Sequence, residues 1–244
     1  MSRHLRRPVM AALCATAVVG LAACSSATQA STSPGSATGG GSSTKAAAAT
    51  DPNAGLLTGT KLASMLLPAS AMPGSLKPDP SGSVNTGTVF NEPSSAAVPA
   101  SKACASLDGT AWINVAGVGS GSFAQGDFTD SYSNLLGQEV DAYRGSDAQT
   151  VMTDLRHVFA ECATFQLNQG GKNYTQKLTA KTLPGVGDDT VEAVFTSPSF
   201  LGGTTLVASR VGNLVVTVVY SDQGSTGGAA VGLAKRIVKN AAAH

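Results

Sequence analysis

Three histidines occur, but His4 lies near the N-terminus and His244 is the last residue, so His157 is the one imidazole placed to act as a general base. It falls within Asp147–Phe165, where Val151, Leu155, Val158, Phe159, Cys162 and Phe165 recur at helical spacing. At roughly 100° per residue, His157 stands about 200° from Leu155, on the solvent face of that helix. A base there has no shielded site in which to work. No Gly-x-Ser-x-Gly turn supplies a nucleophile either. No catalytic residue is assigned. An enzyme, such as a hydrolase of envelope material, would need a buried cluster of acids.

Metal and phosphate chemistry fare no better. There is no His/Cys set at zinc spacing. Asp188-Asp189, after Gly185-Val186-Gly187, could offer oxygens to calcium, but adjacent acids after two glycines more often form a turn between strands. Gly117-Val118-Gly119-Ser120-Gly121-Ser122 has the glycines of a phosphate cradle without a following Lys or helix pattern, so it reads as a loop. Trp112, the single tryptophan, is expected to pack near Cys104. Neither a metal nor a cofactor is expected.

The cysteines are best read from the N-terminus. Residues 1–23 have the form of an export signal, with Arg3, Arg6 and Arg7 ahead of an apolar stretch from Val9 to Gly20. Arg6-Arg7 is followed by Pro8-Val9, which favours the Sec route over a twin-arginine one. Leu21-Ala22-Ala23-Cys24 resembles the lipobox of bacterial lipoproteins. That resemblance implies diacylglyceryl transfer to the Cys24 thiol, cleavage before it, and a lipid anchor at the extracytoplasmic face of the cell membrane. Cys14 leaves with the signal, so Cys104 and Cys162 remain. Outside the cytoplasm two such thiols more often pair than stay free. The loop they would close, about 59 residues, is worth about 4 kcal/mol in the chain-entropy account. The rival reading, a catalytic thiolate, needs a neighbouring base.

The chain of 244 residues is 42% hydrophobic, 5% aromatic and 13% charged, with a net charge of +1. That balance offers no broad basic surface for nucleic acid, and no run of about twenty apolar residues forms a spanning helix. Removing Met1 to Ala23 takes away three Arg and no acid, leaving the processed chain at −2. Its partner is then the membrane through the N-terminal lipid, since no basic patch draws the body to it. Residues 24–55 contain no Leu, Ile, Val, Phe or other aromatic, so they cannot offset their ordering entropy and read as a disordered tether. The folded domain spans 56–244.

Within it, Thr60 is the expected N-cap of a short helix carrying Leu62, Met65 and Leu66 and stopped by Pro68. From there to Pro99, Pro and Gly recur too often for regular structure, apart from a strand candidate at Val84–Phe90. A last helix, about Gly227 to Ala242, turns Ala230, Leu233, Ala234, Ile237 and Ala241 inward and Lys235, Arg236 and Lys239 outward. Gln138–Tyr143, Tyr174–Leu183 and Thr190–Thr196 are strand candidates. The clearest signal is Leu206–Val211, Gly212-Asn213, Leu214–Tyr220, a hairpin about a two-residue primed turn. Its register sets Val211 opposite Leu214, Ser209 opposite Val216 and Val207 opposite Val218, an apolar face for the helices. The reverse face alternates Arg210, Val215, Thr217 and Val219. Arg210 and Thr217 are therefore the candidate ligand-binding residues, with Arg210 suited to an acidic or hydroxylated ligand. Hairpins with helices on one face make a two-layer α+β fold.

The order of features has a counterpart. After the lipobox and tether come Leu56-Leu57 and Lys102-Ala103-Cys104-Ala105-Ser106-Leu107. Ser146-Asp147-Ala148 then opens the helix ending Phe159-Ala160-Glu161-Cys162. Leu183-Pro184-Gly185-Val186-Gly187-Asp188-Asp189 and Arg210-Val211-Gly212-Asn213-Leu214-Val215-Val216 follow. From about Leu56 to Ala243 this resembles the extracellular sensor domain of PknH-type Ser/Thr protein kinases of actinobacteria, and the lipoproteins that carry such a domain without a kinase. The resemblance implies an α+β domain with a twisted antiparallel sheet and a cleft for an unidentified ligand. It implies no catalytic residues. Family members often carry two disulfides, and this chain has cysteines for only Cys104–Cys162. The expected function is a surface lipoprotein whose sensor-like domain binds a small molecule or envelope component; the alternative is a structural or partner-binding envelope lipoprotein.

Overall fold

Valine- and threonine-rich segments pair into one antiparallel sheet of eight strands in the computed structural model, which describes residues 51–244. The export signal, Cys24 and the tether as far as residue 50 lie outside the described residues. In chain order the strands are β1 (Lys77–Asn85), β2 (Ser122–Thr129), β3 (Leu135–Ala142), β4 (Thr164–Gln169), β5 (Lys172–Thr182), β6 (Asp189–Thr196), β7 (Gly203–Val211) and β8 (Leu214–Asp222). Their spatial order is β1-β2-β3-β8-β7-β6-β5-β4, so two meanders meet where β3 pairs with β8. The β7–β8 hairpin turns at Gly212-Asn213 with the expected register, Val211 opposite Leu214 and Val207 opposite Val218. Gly212 has φ +60°, the left-handed conformation that a primed turn requires.

Four helices complete the α+β fold: α1 (Gly59–Ala63), α2 (Ala100–Ser106), α3 (Asp147–Glu161) and α4 (Ala229–Ala241). They cover both faces of the sheet, not one. Val151, Leu155 and Phe159 of α3, with Ala103 and Leu107 from α2 and its C-cap, pack on Val191, Leu206, Val215 and Val219. Leu233 and Ile237 of α4, with Leu62 of α1, pack on Val207, Val216 and Val218 from the other side. The reason lies in β8, where every residue from Leu214 to Tyr220 is buried. Valines of both parities need cover, as strands enclosed on both faces do.

Several boundaries move. The first helix is capped by Thr58, whose hydroxyl accepts from the Lys61 N–H, rather than by Thr60. The stretch after Pro68 is not wholly irregular: it supplies β1, whose Pro78 and Pro80 are tolerated because β1 is an edge strand. Phe165 is not the end of the long helix but a residue of β4, because the helix stops at its C-cap Cys162. Asp51–Gly55 form turns, and Asn53 Oδ1 accepts from the Arg144 guanidinium, so the ordered body begins before Leu56. Gln138 pins the segment after α1 to β3, accepting from the Leu67 N–H at 2.9 Å and donating to its carbonyl at 2.8 Å.

Candidate functional site

The disulfide is the first positioning device. Cys104 in α2 and Cys162 at the end of α3 are bonded, with Cα atoms 5.4 Å apart. This staple holds α2 against the end of α3 and the start of β4. The chain leaves α2 through Leu107 and delivers Asp108 beside Gln169, the last residue of β4. Trp112 packs in the same core as the bridge, its ring 5.9 Å from that of Phe159.

Beyond Asp108 the sheet face under α3 runs out of helix. Its residues change character there: Leu178, Val191 and Leu206 give way to Gln176, Ser197, Thr204 and Ser221. A cleft of about 80 Å³ opens at this end, with Phe195 and Thr204 as floor, Leu167 and Gln169 on one side, and Phe200 and Asp222 at the rim. Gly202 makes the wall close: a Cβ there would stand 2.0 Å from the Asp222 carbonyl oxygen. Asp108 also borders a wider, shallower depression of about 570 Å³ beside Ser106 and Asn114.

Two carboxylates give the cleft its charge. The Ser225 hydroxyl, 2.6 Å away, is the main group holding the Asp222 carboxyl below its ordinary range, helped by the N–H groups of Gly224 and Ser225. Asp222 is a fixed anion at neutral pH. Burial pushes the Asp108 carboxyl up, and donation from Gln169 opposes that. No lining residue is Lys, Arg or His. The Phe200 ring is 40% exposed and is backed by Tyr174, with ring centroids 4.7 Å apart.

The residues proposed from sequence lie elsewhere. Arg210 sits at the hairpin tip, where its guanidinium donates to Asp188 Oδ2 at 3.1 Å and to the Gly212 carbonyl at 3.1 Å. Thr217 is 1% exposed, opposite Glu139 on β3, and is shut off from ligand together with Val215 and Val219. The layer built by α2, α3 and the 3-10 turn at Trp112–Ala116 covers the face that sequence reasoning left open. The cleft does open on that same face of β7 and β8, through Thr204 and Ser221, but at the end away from the turn. Of the two acids expected in a turn, Asp188 lies in it and is held by Arg210, whereas Asp189 already opens β6 and is held by Arg156. His157 is exposed.

Sequence reasoning missed a group of buried acids. Glu139 and Asp141 of β3 and Asp127 of β2 are 5%, 2% and 6% exposed. Glu139 Oε2 and Asp141 Oδ2 accept no hydrogen bond within the described residues, and the indole N–H of Trp112 donates none. Burial first, then the neighbouring charges of Asp141 and Asp127, hold Glu139 well above the ordinary carboxyl range. Burial pushes Asp141 up to about 7, against donation from Ser120. Neither Glu139 nor Asp141 lines the cleft. Among the described residues no group of three His, Cys, Asp or Glu side chains is arranged to hold a metal ion. No described helix is long and apolar enough to cross a membrane.

No family model matches the chain, and no curated protein matches it. Among solved structures it is similar to the extracellular domain of PknH from Mycobacterium tuberculosis. The TM-score is 0.54 at 16% identity, covering 78% of this chain and 98% of that one. The likeness speaks for the fold, which is the one the sequence resemblance implied.

Proposed function

We propose that the chain is a lipoprotein, anchored through Cys24 at the extracytoplasmic face of the cell membrane, whose sensor-like domain binds a small polar ligand without transforming it. The observation that carries this reading is the cleft at the open end of the sheet, where amide, hydroxyl and carboxyl groups from separate strands converge around an apolar floor. The fold likeness to an extracellular kinase domain supports the sensor reading, and the disulfide suits an oxidising compartment. Catalysis is left out of this reading because His157 is exposed and the buried acids Glu139, Asp141 and Asp127 lie outside the cleft lining. Nucleic acid has no place in this reading, since the processed body is net negative.

Native mass spectrometry of the protein drawn from its own membrane tests the ligand. A retained small molecule, lost in Gln169→Ala and kept in Arg210→Ala, is the expected result. Retention indifferent to Gln169 would move the site elsewhere. Leu201, 97% exposed beside Phe200, favours the alternative of a partner-binding envelope lipoprotein. An empty cleft together with loss of a bound protein in Leu201→Ser would establish that instead. Cys24→Ser should release the protein from the membrane fraction; sedimentation unchanged after signal removal would refute the anchor.

A further inference from the structure

Resting on the assignment of the cleft as the ligand site, we propose that it selects a polyhydroxylated ligand of neutral or positive charge, a sugar or amino sugar, and rejects carboxylates and phosphates. Charge decides the sign. Asp222 stands at the rim as a carboxylate tied down by Ser225 and Gly224, and Asp108 faces it from the loop after α2. With no Lys, Arg or His in the lining, an anionic ligand would approach two carboxyl groups with nothing to neutralise it. The acidic ligand that Arg210 seemed to invite from sequence is therefore excluded.

The hydrogen-bonding groups narrow the class further. Gln169, Gln176 and Gln223 present amides, and Ser197, Thr204 and Ser221 present hydroxyls. Each amide or hydroxyl both donates and accepts, as sugar hydroxyls do. A wholly apolar ligand would leave several of them desolvated and unpaired. Phe200 supplies the complementary surface: its ring, steadied from behind by Tyr174, offers a flat apolar face at the rim for the C–H face of a sugar ring. The cleft of about 80 Å³ takes one edge of such a ring, and the wider depression that shares Asp108 leaves room for a second unit. An ammonium group on the ligand would give Asp108 the counter-charge that the protein does not supply.

Three probes sharing one ring separate charge from shape: glucosamine, N-acetylglucosamine and glucuronic acid, titrated into the full chain at pH 7 and followed by ligand-observed NMR. Glucosamine and N-acetylglucosamine should bind, with glucuronic acid at least tenfold weaker, a gap of about 1.4 kcal/mol. Asp108→Asn should weaken glucosamine at least threefold and leave N-acetylglucosamine within twofold. Phe200→Ala, on an exposed turn, should weaken both, and Arg210→Ala neither. Glucuronic acid binding as tightly as the others overturns the proposal, as does indifference of every probe to both Asp108→Asn and Phe200→Ala. A retained native carboxylate or phosphate that Gln169→Ala releases would leave the ligand site standing and the class wrong. No binding by any probe and no retained ligand would sink both.

Discussion

Asp141 stands two positions beyond Glu139 on the same face of β3, so the two buried acids are set roughly 7 Å apart along the backbone, and among the described residues neither forms a salt bridge. The other ionisable groups around them, Asp127 on β2 and Tyr143, are acidic, with Asp79 on β1 acting on Asp127 and Asp147 on Tyr143. Burying two like charges in this setting is costly, and the folded protein avoids it by keeping protons. Unfolded, both carboxyls titrate near 4. Below that value both states are protonated and the pair does not affect stability. As pH rises from about 4 to about 7 the unfolded chain releases protons that the fold still holds, so stability falls.

Urea unfolding at pH 5 and pH 7.5 checks this. The protein should be more stable at pH 5 by about 2–4 kcal/mol, at up to about 1.4 kcal/mol per pH unit per group. The exposed and lowered carboxyls of Asp79, Asp130 and Asp222 work in the opposite direction only below about pH 4, where they lose their hydrogen-bonded anionic form. Stability flat or rising between pH 5 and 7.5 would contradict the buried-pair account.

Asp141→Asn isolates the pair. The amide keeps the shape and an acceptor for Ser120 but cannot ionise. It should stabilise the protein at pH 7.5 by about 1–2 kcal/mol, have little effect at pH 5, and flatten the pH dependence. Asp141→Asn that destabilises equally at both pH values would show the carboxyl to be a packing or hydrogen-bonding element instead.

Breaking the Cys104–Cys162 bond should cost about 4 kcal/mol in the chain-entropy account, given its sequence separation of 58. Reductant should lower the unfolding midpoint of the wild type and leave Cys104→Ala/Cys162→Ala unmoved. Because Asp108 lies four residues past Cys104, the double variant should also bind cleft ligands more weakly where it is still folded. Thiol labelling of the unfolded, unreduced processed protein should find neither cysteine free.

Legibility in the sequence followed how local each signal was. The β7–β8 hairpin, α3 and α4 were readable because Gly212-Asn213, the Val151–Leu155–Phe159 stripe and the Ala230–Leu233–Ile237 stripe each determine their own geometry. β2 was missed because Gly126 and Asp127 interrupt its alternation, and β4 because Phe165 fits the helical stripe as well as it fits a strand. The second helical layer was misjudged because Thr217 and Arg210 look like solvent-facing punctuation, whereas Thr217 is buried among valines and Arg210 is spent on Asp188. Glu139 and Asp141 gave no signal at all: alternation marks them as exposed, yet they are 5% and 2% exposed in the fold. The cleft joins Asp108, Gln176, Thr204 and Asp222 from distant segments, and no local pattern brings those together.

Gln138 separates burial from exposure most sharply among the polar strand residues. It is 2% exposed, and both ends of its amide are used, accepting from the Leu67 N–H and donating to the Leu67 carbonyl. The side chain thus imitates a strand partner for a backbone that no strand covers, across 71 residues of chain. Gln138→Leu keeps the volume but strands a buried donor and a buried acceptor, each worth about 1–3 kcal/mol. The expected loss is about 2–4 kcal/mol in urea unfolding. Hydrogen exchange should accelerate most at Leu67 and in α1, which that contact holds to β3. Gln138→Glu should show the same loss at pH 7.5 and recover part of it near pH 4, where a protonated carboxyl can again donate to the Leu67 carbonyl. Equal exchange at Leu67 in wild type and Gln138→Leu would mean that packing of Leu62 and Met65 alone holds the segment in place.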